Sequence, residues 1–537
     1  MEKDNKTYMD IPKEKFAFAS SSENLHDKKF ETKPMGYFKD AFNRFRKNKA
    51  SIVASIILLV LFLFALIGPY CFSRSYQNLY VSDVDLQLYQ YLTPKLSFMQ
   101  GSGIWDGSQK ETINQLKYYR YLGMAQETGH DPIAKIYDEY DDNGTKMYDV
   151  RTDRYFTLGV ITKTLTEEDY KKIQEWQNEN NIQVLLPYVQ YESIQGVYQA
   201  TVLVKGDNNY WFQCDVNGKP VLDENGNFID GYYKRGIDDY YSLRLDGDPG
   251  KVELDNPEDV KKISDRYRYA KKAVSSIKDE NGNKRYNYIV RIDAYNYFIY
   301  KYGFEPSFAF GTDSHGYDIF SRLASGARFS LLFALAVSAI NLVIGSIYGA
   351  IEGYYGGAAD MIMERISDIL SAVPSMVVTV LFNLHLSKTV GTIPSLLYAF
   401  IVTGWIGMAS RTRMQFYRFK NQEYVLAART LGAKDWRVMF KHIFPNSLGT
   451  LITGSVLVIP GVIFSETSLT YLGIINLDSP TRSSVGAMLS AGQGVMTKYP
   501  HVIFFPALFI ALLMICFNLF GNGLRDAFNP SLRGTED

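Results

Sequence analysis

The sequence predicts an α-helical polytopic membrane protein with six transmembrane helices and a mixed α/β domain inserted, outside the membrane, between helices 1 and 2. Three observations predict it. Of 537 residues, 46% are hydrophobic and 21% charged with a mean hydropathy of −0.14, yet long stretches carry no charge. Such a division means a membrane part joined to a water-soluble part. Second, about 20 helical residues cross a hydrocarbon core of roughly 30 Å, and runs of that kind lie at 50–70, 329–351, 366–386, 391–410, 448–473 and 501–522. Third, the first run is separated from the others by the polar stretch 71–310.

Composition also excludes. Lys+Arg and Asp+Glu both number 57, against the basic surplus of a nucleic-acid binder. Cys71, Cys214 and Cys516 are too few and too scattered for a disulfide framework or a cysteine zinc site.

Residues 1–49 are expected in the cytoplasm, because Lys39, Arg44, Arg46, Lys47 and Lys49 precede the first span. The span 50–70 is expected to be retained, with a cleaved signal as the plainer alternative: Gly68-Pro69-Tyr70-Cys71 is neither a small-x-small site nor a lipoprotein box. Six spans return the C-terminus, with the tail 534–537, to the cytoplasm. The loop 411–446 then lies inside with Arg411, Arg413, Arg418, Lys420, Arg429, Lys434, Arg437 and Lys441, and 474–500 lies outside with only Arg482 and Lys498. The charge bias agrees with the span count.

The insert 71–310 falls outside, with 29 Lys+Arg against 36 Asp+Glu and 28 of the 40 tyrosines. Asn143-Gly144, Asn217-Gly218, Asn225-Gly226 and Asn281-Gly282 are hairpin signals. Tyr198 to Val204 and Tyr210 to Cys214 read as strands, Leu165 to Asn178 and Pro257 to Lys272 as helices, and Tyr286 to Tyr302 as an alternating return to the membrane. Tyrosine suits recognition surfaces and half-buried strands alike. Asp215, Asn217, Asp223, Asn225, Asn227 and Asp230 are calcium-type ligands without the spacing of a calcium hand, and ordinary turn chemistry explains them equally. His130 is the insert's only histidine, so a hydrolase lacks its catalytic set.

The informative segment is Glu423 to Pro445. It reads as helix, glycine break, helix, proline. Ala427 and Ala428 keep one face narrow, and Gly432 permits the positive φ of a sharp turn. Trp436, Met439, Phe440, Ile443 and Phe444 form an apolar stripe on a short basic helix that Pro445 ends. A helix resting on the bilayer surface is the plainer reading. In the fifth span, Gly454, Pro460 and Gly461 loosen the helix, for a pathway or for close packing. Glu466 either faces the bundle interior or sits solvated at the outer end, and Arg365 with Asp368 suits a simple pair.

Glu423, Ala427, Ala428, Gly432, Ile443 and Pro445 together resemble the coupling motif of type I ABC importer permeases. The resemblance implies the type I importer fold for 311–533 and a segment, including Ala433, Trp436 and His442, that fits a cleft on an ATPase subunit. Gly311, Thr312, Asp313, Gly316 and Asp318, followed by Arg322, Gly326 and Arg328, are similar to the signature of dipeptide/oligopeptide permeases of the OppC/DppC type. So are Glu466 to Gly473 and the ending with Gly521, Arg525 and Asp526. The chain departs from the pattern at Tyr317, where arginine is usual, at Phe308-Ala309-Phe310, at Ser483-Ser484-Val485-Gly486 and at Asn522. The resemblance spans 36–70 and 311–533 and leaves 71–310 uncovered.

The chain has no phosphate-loop motif and no visible catalytic set, so it is expected to be no enzyme and to hold no cofactor. The resemblance implies that ATP and magnesium are bound by two cytoplasmic ATPase partners. It further implies a second homologous permease, an extracellular substrate-binding protein and a peptide substrate, in a bacterial plasma membrane. The insert is hypothesised to dock the binding protein or capture substrate. The alternatives are a permease for nickel or another small solute, and a membrane-anchored receptor or adhesin.

Overall fold

A computed structural model describes residues 37–71, 84–186, 188–189, 198–199, 213–214, 219–229, 234–235, 270–278, 284–479 and 483–528. An amphipathic helix α1 (Tyr37–Lys47) leads into α2 (Lys49–Cys71), the first span. The chain next enters the polar insert through a 3₁₀ turn at Val84–Tyr89.

Among the described residues, the two larger sheets of the insert are each backed by a helix. In the first, β1 (Ser108–Asn114), β2 (Ile133–Asp142) and β3 (Thr145–Asp153) run antiparallel in the order β1-β3-β2. Helix α3 (Gln115–Thr128) lies against them, capped by the Asn114 side chain. The β2–β3 turn is Asn143-Gly144, both at positive φ, as its sequence requires. In the second sheet, β4 (Val160–Thr166) and β5 (Leu185–Leu186) pair with the hairpin of β6 (Ala270–Lys278) and β7 (Lys284–Asp293). Helix α4 (Glu167–Asn180) covers it, opened by Thr166, close to the expected helix at 165–178.

Some expectations change here. The end of the expected helix 257–272 is strand: residues 270–272 begin β6, where pairing with β7 overrides local propensity, and 257–269 lie outside the described residues. Of the expected strands 198–204 and 210–214, Tyr198–Gln199 pairs with Gln213–Cys214 and the rest lies outside the described residues, as do Asn217-Gly218 and Asn281-Gly282. The alternation from Tyr286 stops at Asp293, whose carboxylate caps α5 (Ala294–Tyr302).

The insert's described tyrosines serve mainly as core. Tyr89, Tyr155 and Tyr170 are fully buried, and Tyr121, Tyr148, Tyr288 and Tyr297 nearly so. Two buried ion pairs tie its parts: Arg291 to Glu127, doubly hydrogen-bonded at 2.8 and 2.9 Å, and Lys95 to Asp153 at 3.2 Å. Asp223 accepts the Asn225 and Asn227 amides at 2.9 and 2.8 Å, which is turn chemistry; Asp215, Asn217 and Asp230 lie outside the described residues.

The remaining helices are α6 (Ile319–Tyr355), α7 (Gly357–Ser371), α8 (Ser375–Val390), α9 (Thr392–Gly404), α10 (Ile406–Phe419), α11 (Glu423–Thr430), α12 (Asp435–Tyr471), α13 (Val485–Gln493) and α14 (His501–Phe528). Among the described residues, five helical stretches are long and apolar enough to cross a membrane: α2, α6, the α9–α10 stretch, α12 and α14. The sixth expected span is broken. Helices α7 and α8 meet at 72°, because Pro374 has no amide to donate and disfavours helix at Val373.

The bundle core joins α2, α6, α12, α13 and α14. Small residues set its closeness. A Cβ at Gly523 would overlap Ser51 of α2, one at Gly521 would overlap Leu457 of α12, and one at Gly486 would come within 2.6 Å of the Thr467 carbonyl.

Candidate functional site

The two groups of motif residues lie at opposite ends of α6. At the insert end, the loop Gly311–Asp318 seats on residues 84–92. Thr312 donates its hydroxyl to the Tyr89 carbonyl at 2.5 Å and accepts the Leu92 amide at 2.8 Å. Gly311 and Gly316 have positive φ, and a Cβ on either would overlap a carbonyl of this segment. Asp313 accepts the His315 and Tyr317 amides, and Asp318 caps α6 through the Phe320 and Ser321 amides. Burial pushes the Asp318 carboxyl up to about 6, against the Ser321 hydrogen bonds. Arg322, buried, reaches Asp313 and Asp478 and lies over the Tyr317 ring. Gly326 packs on the Ser484 backbone, and Arg328 donates to the Tyr70 hydroxyl at 2.9 Å, pinning α2.

Glu466 is fully buried and accepts hydrogen bonds from Ser330 and Thr470 at 2.9 and 3.3 Å, which decides for the bundle interior. Gly473, at positive φ, ends α12. Arg365 and Asp368 pair at 2.9 Å on the surface, and Arg525 and Asp526 approach to 4.0 Å, both exposed.

At the opposite end, the expected coupling segment is built on a buried cluster. Val425, Val438, Met439 and Ile443 pack with Ala350 and Tyr354 of α6 and Phe416 of α10. Tyr354 donates to Asp435 at 2.6 Å, and Arg429 lies over its ring. Helix α11 gives way to a turn at Gly432, with φ +80°, and apart from its chain neighbours no described atom lies within 4 Å of where its Cβ would be. The apolar stripe divides between two faces: Met439 and Ile443 are buried, while Trp436 lies against Phe440 with its ring tilted and is 66% exposed. Leu431 is 88% exposed. Glu423 and Ala427 face outward, Ala428, Ala433 and His442 are half-buried, and Pro445 is exposed.

Two expectations are corrected here. The short basic helix is no separate element, and Pro445 does not end it: helix runs unbroken from Asp435 to Tyr471. A π-helical turn at Val438–Ile443 precedes Pro445, which sits in the first turn of the following α-helical stretch, where its missing amide is tolerated. The loop 411–446 is likewise mostly helix, since α10 runs to Phe419 before α11 begins.

Between the two ends, α8, α9 and α12 line a cavity of about 530 Å³ that is open on one side. Its wall carries no charged side chain and five hydroxyls: Ser375, Thr379, Thr403, Ser465 and Ser468. Gly461 lines it with open space over its Cβ position, whereas Gly454 makes room for Arg411, which donates to its carbonyl at 3.0 Å. One glycine thus serves the cavity and the other serves packing.

Sequence reasoning missed two features. Gly345, Gly349 and Gly353 of α6 lie four apart and admit the α10 backbone at Trp405, Ala409 and Arg413; the repeated spacing was a readable signal. Arg413 binds Asp360 and Glu364 of α7, a cluster assembled across three helices that no local pattern announces.

Comparison with known proteins fits this arrangement. Residues 341–534 match the family described as the inner membrane component of binding-protein-dependent transport systems. Residues 36–94 match the N-terminal transmembrane domain of oligopeptide transport permease C. The family likeness therefore runs past residue 70 to residue 94, through the segment that seats the Gly311–Asp318 loop. The chain is 47% identical over 224 residues to the oligopeptide transport system permease protein OppC of Bacillus subtilis (strain 168), covering 42% of this chain and 72% of that one. It is 41% identical over 225 residues to the dipeptide transport system permease protein DppC of the same organism, covering 42% and 69%. It is 34% identical over 249 residues to the glutathione transport system permease protein GsiD of Pectobacterium atrosepticum, covering 46% and 81%. With five or six apolar spans and a cavity among them, the chain belongs to the family of multi-pass, binding-protein-dependent ABC importer permeases of the OppC/DppC type.

Proposed function

We propose that this chain forms half of the translocation path of a peptide importer in a bacterial plasma membrane. A second, homologous permease supplies the other half. Two cytoplasmic ATPases bind ATP and magnesium, and this chain holds no cofactor of its own. The observation that carries the reading is the coupling segment, where Leu431 and Trp436 stand exposed on a rigid, buried base. Large apolar side chains held in water on a well-packed platform suit an interface core. The cavity wall suits peptides of varied sequence, since hydroxyls without charge can meet a backbone while rejecting no particular side chain. ATP-driven closure of the ATPases moves the coupling segments and opens the path from one side to the other.

In this reading both termini are cytoplasmic and residues 71–310 stand outside, where the insert docks the substrate-binding protein. The supporting feature is β2: Ile136, Tyr137 and Tyr140 are exposed, and its edge away from β3 pairs with no strand among the described residues. Purification of the tagged chain from its native membrane, with mass spectrometry of what accompanies it, tests the whole. Two ATPases, a sister permease and bound peptides are expected. A complex without ATPases, under conditions that preserve a control importer, refutes it. Deletion within the insert that leaves binding-protein affinity and uptake unchanged refutes the docking role alone.

A further inference from the structure

We infer that Arg413 is the positioning residue that carries motion of the coupling segment to the wall of the cavity. The inference rests on the permease reading above. Helix α10 is built into the coupling end at both faces: Phe416 is buried in the cluster under α11, and Gly349 and Gly353 of α6 hold its backbone close. These elements move as one body, because tightly interdigitated packing resists continuous deformation.

Helix α7 is different. It has no buried residue. Arg413 grips it with a fork of charge-assisted hydrogen bonds, to Asp360 at 2.6 and 2.9 Å and to Glu364 at 2.7 and 3.0 Å. Glu352, at the end of α6, stands 3.6 Å from the same guanidinium, and Tyr417 donates to Asp360 at 2.6 Å. A further tie is the Tyr348 hydroxyl on the Met363 carbonyl at 2.7 Å. Beyond the 72° bend, α8 contributes Ser375 and Thr379 to the cavity. The physical chain is therefore coupling segment, α10, Arg413, α7, bend, cavity wall. Lysine cannot replace Arg413 there, since one ammonium cannot serve two carboxylates in a planar fork.

The test uses the assembled importer in liposomes, reading ATP hydrolysed per substrate imported. Spin labels at Leu384 of α8 and Leu472 beyond α12 report the cavity width with and without ATP. In Arg413→Gln, hydrolysis per substrate is expected to rise at least tenfold, and the ATP-dependent distance change is expected to vanish; Arg413→Lys should be intermediate. The double variant D360N/E364Q leaves the arginine in place and should repeat the loss. An unchanged ratio with an unchanged distance change overturns the inference, as does failure of both variants to assemble, which makes the cluster purely structural. A wild-type complex without ATP-driven uptake fails the permease reading instead.

Discussion

Replacing Gly432 separates the fold of the coupling segment from its use. At φ +80° any other residue is strained, at a cost of about 1–2 kcal/mol for an L-residue in the left-handed region. That is a minor part of a typical stability of roughly 5–15 kcal/mol. Apart from its chain neighbours, no described atom lies within 4 Å of the Cβ position, so a larger side chain has open space in this chain and, in the proposed complex, projects toward the ATPase. Overfilling a packed interface costs about 1–3 kcal/mol, which is roughly 5- to 150-fold in affinity. Gly432→Ala carries the strain without the bulk; Gly432→Gln carries both. The expected result is that both variants fold and insert with a small loss of thermal stability. Gly432→Ala should retain most ATP-driven uptake, while Gly432→Gln uncouples uptake from hydrolysis. Normal uptake in Gly432→Gln refutes the reasoning, and so does equal loss in the two variants, which would make strain the cause.

Leu431→Asp should weaken ATPase binding without moving the melting temperature; burying a leucine side chain contributes about 1.5–3 kcal/mol, or roughly 10- to 150-fold, measurable by titrating the ATPase onto permease in nanodiscs. Glu127→Ala leaves Arg291 buried without its doubly bonded partner and should cost the insert about 3–5 kcal/mol, read from denaturant unfolding. His130 supplies a pH signature. Burial opposes its charge, but Asp293 and Asn296 outweigh burial and raise its pKa above the ordinary value. A raised histidine stabilises fully below about pH 6.5, and that stability is lost as pH rises through the folded value. The insert should therefore melt at higher temperature at pH 6.5 than at pH 8, and His130→Gln should flatten that difference; an unchanged slope in the variant refutes the assignment.

Much of this was legible in the sequence because membranes impose simple arithmetic. Five expected spans emerge as continuous helical stretches, and the Glu423–Gly432 segment forms the expected helix and turn. Family membership sets aside the receptor alternative. What was not legible depends on partners distant in sequence. Pro445 looks like a terminator until a π-helical turn absorbs it. The third run looks continuous until Pro374 bends it. Glu466 was ambiguous because burial depends on Ser330, 136 positions away. The Arg413 cluster needs three helices in place before it exists at all.

The base of the insert has a consequence for how such a chain arises. Its two strands of connection leave and return side by side: the Lys95 amide donates to the Phe308 carbonyl at 2.8 Å, and the Thr312 amide to that of Leu92 at 2.9 Å. A domain spliced between neighbouring points asks nothing of the distance between the helices on either side. Loop-closure entropy grows only slowly with length, so the permease tolerates a long passenger almost as readily as a short one. The same geometry makes the graft reversible. Excising 97–306 and joining Leu96 to Ser307, with Lys95 replaced because its buried partner Asp153 leaves with the passenger, should keep the membrane helices in their native arrangement.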